Sequence, residues 1–256
     1  MRQLTFTATV TDTSGGYSSY LAPIKENVLA AARDWGQFIS SLGRIDIKIN
    51  IIQTIPGGIA NGGSTFAVNN YGSQWLESAS RYMIDYGSST EIRRGSDPNG
   101  ATSDITININ SEYLHSNFGD LWADSNSYDQ THVVPENLTD SLFVFTHEIG
   151  HGLGFSGFRD LSTGNLDYSL STDGLYRSFF SHFDMNVTMS DGKPYFNEYT
   201  ARLVYGAAIP LTSENLYHYG NLEGAGVNLI TGVMTGVGIP TGFQYDVSNL
   251  DLYQPP

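Results

Sequence analysis

The stretch Thr139-Asp-Ser-Leu-Phe-Val-Phe-Thr-His-Glu-Ile-Gly-His-Gly-Leu-Gly154 decides how the rest of the sequence is interpreted. Its apolar residues recur at helical spacing, which predicts an amphipathic helix over residues 139–153. We expect Thr139 or Asn137 to cap this helix and Asp140 to lie in its first turn. Gly154 is a natural end, because only glycine adopts the left-handed conformation there at little cost.

Within this helix, residues His147-Glu148-Ile149-Gly150-His151 form an H-E-x-x-H motif. Histidines four positions apart lie on one helix face, so both imidazoles can bind one metal ion. Zinc suits them because it accepts nitrogen donors tetrahedrally and leaves one position for water. The metal lowers the pKa of that water to about 7, and Glu148 is placed to accept its proton. We therefore predict His147 and His151 as zinc ligands and Glu148 as the general base; two surface histidines are the alternative.

Hydrophobic patterning on either side of the motif predicts an α+β fold with a twisted mixed sheet and backing helices. Alternation of apolar and polar residues predicts strands, and apolar residues at helical spacing predict helices. The predicted strands are 3–10, 45–51, 64–68 and 105–109, and the further predicted helices are 22–40 and 73–86. Strand 105–110 is either an edge that pairs with an extended peptide or an interior strand.

The sequence divides into two parts at the end of the motif helix. Residues 1–154 are expected to form an upper subdomain that carries the motif. Residues 155–256 are rich in turn residues and contain short strand-like pieces such as 184–189, which predicts an irregular C-terminal subdomain.

Composition excludes several classes of function. Twenty-six acidic residues against 12 basic ones give a net charge of −14, which argues against nucleic acid as a partner. No apolar run approaches the roughly 20 residues of a membrane-spanning helix. The chain has no cysteine, so disulfides and thiolate metal ligands are excluded. Low charge with 28 glycines and 16 tyrosines favours a secreted, extracellular bacterial protein, expected to be a monomer, whose export signal lies outside this chain.

Two acidic loops are candidates for calcium. Residues 124–129 and 160–167 each place carboxylates among turn residues, and calcium prefers such oxygen ligands. Neither loop has the spacing of an EF-hand, and solvated loops are the alternative.

The segment HEIGHGLGF, residues 147–155, resembles the metzincin clan of zinc endopeptidases, in which a glycine ends the motif helix. Gly154 matches that glycine. Many metzincins place their third zinc ligand three residues later, where this chain has Gly157, which cannot coordinate a metal. The segment is instead similar to the leishmanolysin-like branch and to related secreted bacterial metalloproteases, in which an insertion separates the glycine from the third histidine.

This resemblance implies His218 as the third zinc ligand. Met234 follows it between glycines, and its setting resembles the metzincin Met-turn that lies beneath the metal. His182 is the other downstream histidine, and its aromatic neighbours favour a packing role. A carboxylate ligand is the remaining alternative, from Glu198, Glu214 or Glu223.

The resemblance implies a zinc-dependent endopeptidase with one catalytic zinc and a protein or peptide substrate. Two alternatives remain open: a non-catalytic, adhesin-like binding module with a structural zinc, and a zinc hydrolase acting on a non-peptide bond.

Overall fold

The structure is a computed structural model that describes 2–53, 55, 58–65, 67, 73–76, 81–114, 121–123, 135, 138–155, 169–171, 176–199, 208–210, 216–218 and 221–224. For several strands the description is limited to the backbone: residues 73–76, 81–84, 169–171, 176–180, 209–210, 216–218 and 221–224. The described residues fall into two compact units. The first lies within Met1–Val68 and Tyr86–Leu153, and the second lies within Asn69–Asp85 and Gly154–Gly238.

The described elements are mostly short strands, together with four α-helices. The helices are α1 Leu21–Phe38, α2 Gly87–Arg94, α3 Ser141–Gly152 and α4 His182–Met185. The strands are β1 Arg2–Gln3, β2 Thr5–Asp12, β3 Ser40–Ser41, β4 Arg44–Ile52, β5 Ala60–Ser64, β6 Ser73–Leu76, β7 Arg81–Ile84, β8 Ile105–Asn110, β9 Leu121–Trp122, β10 Thr139–Asp140, β11 Ser169–Ser171, β12 Tyr176–Phe180, β13 Val187–Ser190, β14 Lys193–Phe196, β15 Ile209–Pro210, β16 Leu216–His218 and β17 Asn221–Gly224.

The first unit is built on a four-stranded mixed sheet in the order β2-β4-β8-β5. Strands β2, β4 and β8 are parallel, and β5 is antiparallel to β8 at the end of the sheet. Isoleucines of β4 and β8 lie side by side on one face, with Ile47 opposite Ile105 and Ile49 opposite Ile107. All four are almost wholly buried, and each such side chain stabilises the fold by about 1.5–3 kcal/mol. A slip of one residue would turn this row to solvent, so the isoleucines fix the register.

Helices α1 and α3 complete the core of this unit. Helix α1 packs against β2 and α3, and α3 packs against β5 and β8. The buried side chains include Ile24 and Val28 of α1 and Phe145 and Ile149 of α3. The motif helix therefore packs against α1 and against the β5 and β8 end of the sheet.

The mixed α+β character is confirmed, and so are the helices predicted over 22–40 and 139–153 and the strands at 3–10, 45–51 and 105–109. The strand predicted at 64–68 lies earlier, at Ala60–Ser64. Strand β8 is an interior strand, between β4 and β5.

The helix predicted over 73–86 is wrong. The chain forms the antiparallel strands β6 and β7 there, with Trp75 opposite Tyr82, and the next helix begins only at Gly87. A few apolar residues in a short window fit both helical and extended periodicities, and aromatic residues favour strands.

The second unit contains a four-stranded sheet, β11-β12-β7-β6, and a three-stranded sheet, β13-β14-β15. Phe183 and Val187 form a small core against which Phe155 and Phe196 pack. The piece predicted as strand-like at 184–189 is α4 followed by β13. In the described part of the chain, no helix is long and apolar enough to cross a membrane.

Candidate metal centre

The start of α3 is fixed by two polar contacts. The side chain of Asp140 is the N-cap and accepts a hydrogen bond from the backbone N–H of Leu142 at 2.9 Å, so the expectation that Thr139 or Asn137 caps the helix is wrong. Ser141 Oγ donates to Asn27 Oδ1 of α1 at 3.1 Å, and both side chains are fully buried. An N-cap side chain such as that of Asp140 stabilises a helix by about 1 kcal/mol.

The end of α3 is fixed from α2. Ser88 Oγ donates to the carbonyl of Gly152, and Ser89 Oγ donates to the carbonyl of Leu153 at 3.1 Å. These carbonyls have no partner within the helix, so the serines satisfy groups that would otherwise be costly to bury. Gly154 has a φ of 100°, which confirms the left-handed end that the sequence predicts.

Two glycines let α3 approach its neighbours closely. A Cβ on Gly152 would lie 2.6–2.8 Å from the side chain of Ile105 on β8, and a Cβ on Gly150 would lie 3.2 Å from the ring of Trp35 on α1. The indole Nε1–H of Trp35 also donates to the carbonyl of Thr146 at 2.9 Å. The backbone of α3 is therefore positioned against both the sheet and α1.

His147 and His151 meet on one face of this helix. Their Nε2 atoms are 3.1 Å apart, and their rings are perpendicular with centroids separated by 4.6 Å. Both side chains are half-buried. The approach is compatible either with one ring donating N–H to the other or with both nitrogens directing their lone pairs at one cation.

This geometry fits zinc. At Zn–N distances of about 2.0–2.1 Å, two nitrogen ligands of a tetrahedral zinc lie about 3.3 Å apart, close to the observed separation. A zinc ion needs at least one further protein ligand. Catalytic zinc is held by three protein ligands, such as three histidines or two histidines and a glutamate, and keeps its fourth position for water.

Glu148 lies between the two histidines in sequence and is 8% exposed. Its carboxylate accepts a hydrogen bond from the backbone N–H of Gly62 on the end strand β5. Burial raises the pKa of Glu148 to about 7, and the Gly62 N–H opposes that rise. A carboxyl group that titrates near neutral pH can both accept and return a proton.

The contact between Glu148 and β5 requires a glycine. A Cβ on Gly62 would lie 2.7 Å from Glu148 Cβ, 2.8 Å from its carbonyl oxygen and 2.9 Å from Oε2. The next residue, Gly63, has nothing within 4 Å of an added Cβ. The close approach is therefore specific to Gly62.

The remaining predicted ligands belong to the second unit. His218 ends strand β16, where the structure describes the backbone, with His218 opposite Asn221. Met234 and Glu214 lie outside the described residues, Glu223 has its backbone described in β17, and Glu198 is half-buried. His182 begins α4, with Nε2 3.7 Å from Asp85 Oδ2. The third ligand thus stays a prediction.

Sequence reasoning did not identify Gly62, Trp35 or the serines of α2 as neighbours of the motif helix. The glycine-rich stretch 56–63 was the available signal for a close backbone approach, because glycine permits contacts that a Cβ forbids. The calcium candidates at 124–129 and 160–167 lie outside the described residues.

Comparison of the chain with known protein families, with curated proteins and with solved structures finds no match.

Proposed function

We propose that this protein is a zinc-dependent endopeptidase of metzincin type, similar to the leishmanolysin-like branch. The observation that carries the proposal is the 3.1 Å separation of the His147 and His151 Nε2 atoms on a helix that also holds a buried glutamate. His147 and His151 would bind the metal, with His218 as the third ligand. The protein would act outside the cell, as a monomer, on proteins or peptides.

Zinc, when bound, supplies a Lewis acid that polarises the scissile carbonyl and makes a water molecule more acidic. Glu148 accepts a proton from the attacking water and then donates it to the leaving amine. The N–H of Gly62 donates to the Glu148 carboxylate and favours its ionised form, which is the form that accepts the proton. Burial of Glu148 raises the pKa of its carboxyl group, which suits it to return the proton to the leaving amine.

Strand β5 is a candidate platform for the substrate. It occupies the end of its sheet, pairs with β8 on one side, and carries the glycine that contacts Glu148. An extended peptide can add to such an edge through backbone hydrogen bonds. A peptide bound there would lie beside the proposed general base.

The proposal is tested by zinc content and casein hydrolysis, measured together for the wild type, Glu148→Gln and Glu26→Gln. Glu26 is an exposed glutamate of α1 and serves as the matched control. We expect one zinc per chain in all three proteins and hydrolysis that a chelator abolishes. Glu148→Gln should lose about 10²–10⁴-fold in rate, as expected for removal of a general base. Hydrolysis that is unchanged in Glu148→Gln, or a zinc-loaded wild type that cleaves nothing, would contradict the proposal.

The third ligand is tested separately by His218→Ala and His182→Ala. We expect His218→Ala to lose zinc and His182→Ala to keep it. Full zinc occupancy in His218→Ala would assign the third position to His182 or to a carboxylate instead.

A further inference from the structure

Three carboxylates converge in the first unit on elements other than α3. Glu91 lies on α2, Asp97 begins the turn Asp97-Pro-Asn-Gly100, and Asp104 immediately precedes β8. One oxygen from each lies within 4.8 Å of the other two. We call these three residues the acidic cluster.

The backbone orients each carboxylate of the acidic cluster. Glu91 Oε1 accepts from the N–H of Arg44 at 3.1 Å, and Asp104 Oδ2 accepts from the N–H of Asp46 at 2.8 Å. Asp97 Oδ1 accepts from two N–H groups of its own turn at 2.7 and 2.8 Å. One oxygen of each residue is thus anchored, and the other can bind a ligand.

Asp104 contributes an unsatisfied oxygen to the acidic cluster. The residue is 3% exposed, and its Oδ1 atom is buried without a hydrogen-bond partner among the described residues. An unsatisfied buried carboxylate oxygen is costly, and the cost grows when a second carboxylate, Glu91, is buried beside it. Burial raises the pKa of Asp104 to about 7; the N–H of Asp46 opposes the rise, while the charges of Glu91 and Asp97 and a side-chain hydrogen bond with Glu91 add to it.

We propose that the acidic cluster of Glu91, Asp97 and Asp104 binds a divalent calcium ion. Calcium prefers oxygen ligands at about 2.3–2.6 Å, so two oxygens on one ion lie at most about 5 Å apart, as these do. Asp97 is exposed, which leaves room for water to complete the coordination shell. The ion would supply the missing partner of Asp104 and tie α2 to the start of β4 and β8.

The anchoring of α2 gives calcium a structural consequence. Gly43, beside the first residue of β4, is in such close contact with Glu91 that an added Cβ would lie 2.8 Å from the Glu91 carbonyl oxygen. The same helix donates the two serine hydrogen bonds that end α3. Calcium bound by Glu91 would therefore stabilise the element that fixes the carboxyl end of the motif helix.

The test is calcium binding by the full chain after removal of all metals. Calorimetric titration with Ca²⁺ up to about 5 mM covers the affinities of extracellular calcium sites. Thermal unfolding is followed in the same samples, because a ligand that binds the folded state raises Tm with its concentration. The proteins are the wild type, Asp104→Asn, Asp97→Asn and the control Asp46→Asn, which removes an exposed neighbouring charge that is not in the acidic cluster.

We expect one Ca²⁺ per chain in the wild type and a Tm rise of about 5 °C or more at a hundred times Kd. Asp104→Asn and Asp97→Asn should weaken binding at least about tenfold, while Asp46→Asn should change it less than about threefold. If Asp104→Asn fails to fold, Asp97→Asn still tests the proposal, because Asp97 is exposed and its substitution should leave the fold intact. Absence of calcium uptake would overturn the proposal, and so would binding that neither variant weakens. An Asp104→Asn protein that is more stable than the wild type in calcium would also overturn the proposal. That result would mean that a proton shared between Asp104 and Glu91, and not a calcium ion, stabilises the cluster in the wild type.

Discussion

Replacing Gly62 with alanine tests how the proposed general base is held. The new Cβ would meet three atoms of Glu148 at 2.7–2.9 Å, two of which belong to the backbone carbonyl and Cβ of α3 and cannot rotate away. Ordinary carbon contacts lie at about 3.5–4.0 Å, so β5 and α3 must separate by roughly 1 Å. Glu148 then loses the N–H of Gly62 as well as its position.

The size of the effect follows from these contacts. Overpacking of this kind lowers the free energy of unfolding by about 1–3 kcal/mol, and loss of the hydrogen bond to the carboxylate lowers it by about a further 1–2 kcal/mol. A catalytic group displaced by about 1 Å loses roughly 100-fold in rate. His147 and His151 stay on the same face of α3, so zinc binding should survive.

Urea unfolding, zinc content and casein hydrolysis are measured for Gly62→Ala and for Gly63→Ala. The second variant adds the same methyl group to the same strand, where nothing lies within 4 Å. We expect Gly63→Ala to differ from the wild type by no more than about 0.5 kcal/mol. If both variants behaved alike, in stability and in rate, the contact between Gly62 and Glu148 would not position the base.

Three further predictions concern the two ends of the motif helix and the end of β2. Gly152→Ala should lower the free energy of unfolding by about 1–3 kcal/mol because its Cβ meets the Cγ1, Cγ2 and Cδ1 atoms of Ile105. Ile105→Ala removes all three atoms, so in urea unfolding the double variant should lose less than the sum of the two separate losses. Asp140→Ala should lower the free energy of unfolding by about 1 kcal/mol, and Asp140→Asn should lower it much less, because asparagine also caps helices. Equal losses in the two variants would refute the capping role. Backbone N–H groups, chiefly that of Tyr17, hold the pKa of Asp12 below its ordinary 3.8, so its contribution to stability is present above that pH and lost below it. Asp12→Asn should therefore destabilise at neutral pH and have little effect at about pH 2, and a pH-independent effect would refute the cause.

The elements with long and regular patterns were predictable. The isoleucines of β4 alternate over the whole strand, and their burial on one face left a single possible register. The motif helix was predictable for the same reason, since its apolar stripe, its acidic start and its terminal glycine agree with one another. Residues 73–84 carried a shorter and ambiguous pattern, and pairing between β6 and β7 decided their conformation.

The candidate metal centre was predictable only within one element. The four-residue spacing of His147 and His151 is a local property of a helix, and the structure places their Nε2 atoms as that spacing predicts. The contact between Glu148 and Gly62 joins residues 86 positions apart, and periodicity carries no information about such pairs. The acidic cluster was missed because its three carboxylates come from a helix, a turn and the start of a strand.

The zinc affinity of the wild type, His147→Ala and His151→Ala, determined by competition with a chromophoric chelator, tests the central claim most directly. Nε2 atoms 3.1 Å apart should act as a pair, so the wild type should bind one zinc per chain. Either substitution removes a ligand and should weaken binding by at least about 100-fold. A wild type that binds no zinc, or a variant that binds it as tightly as the wild type, would contradict the account.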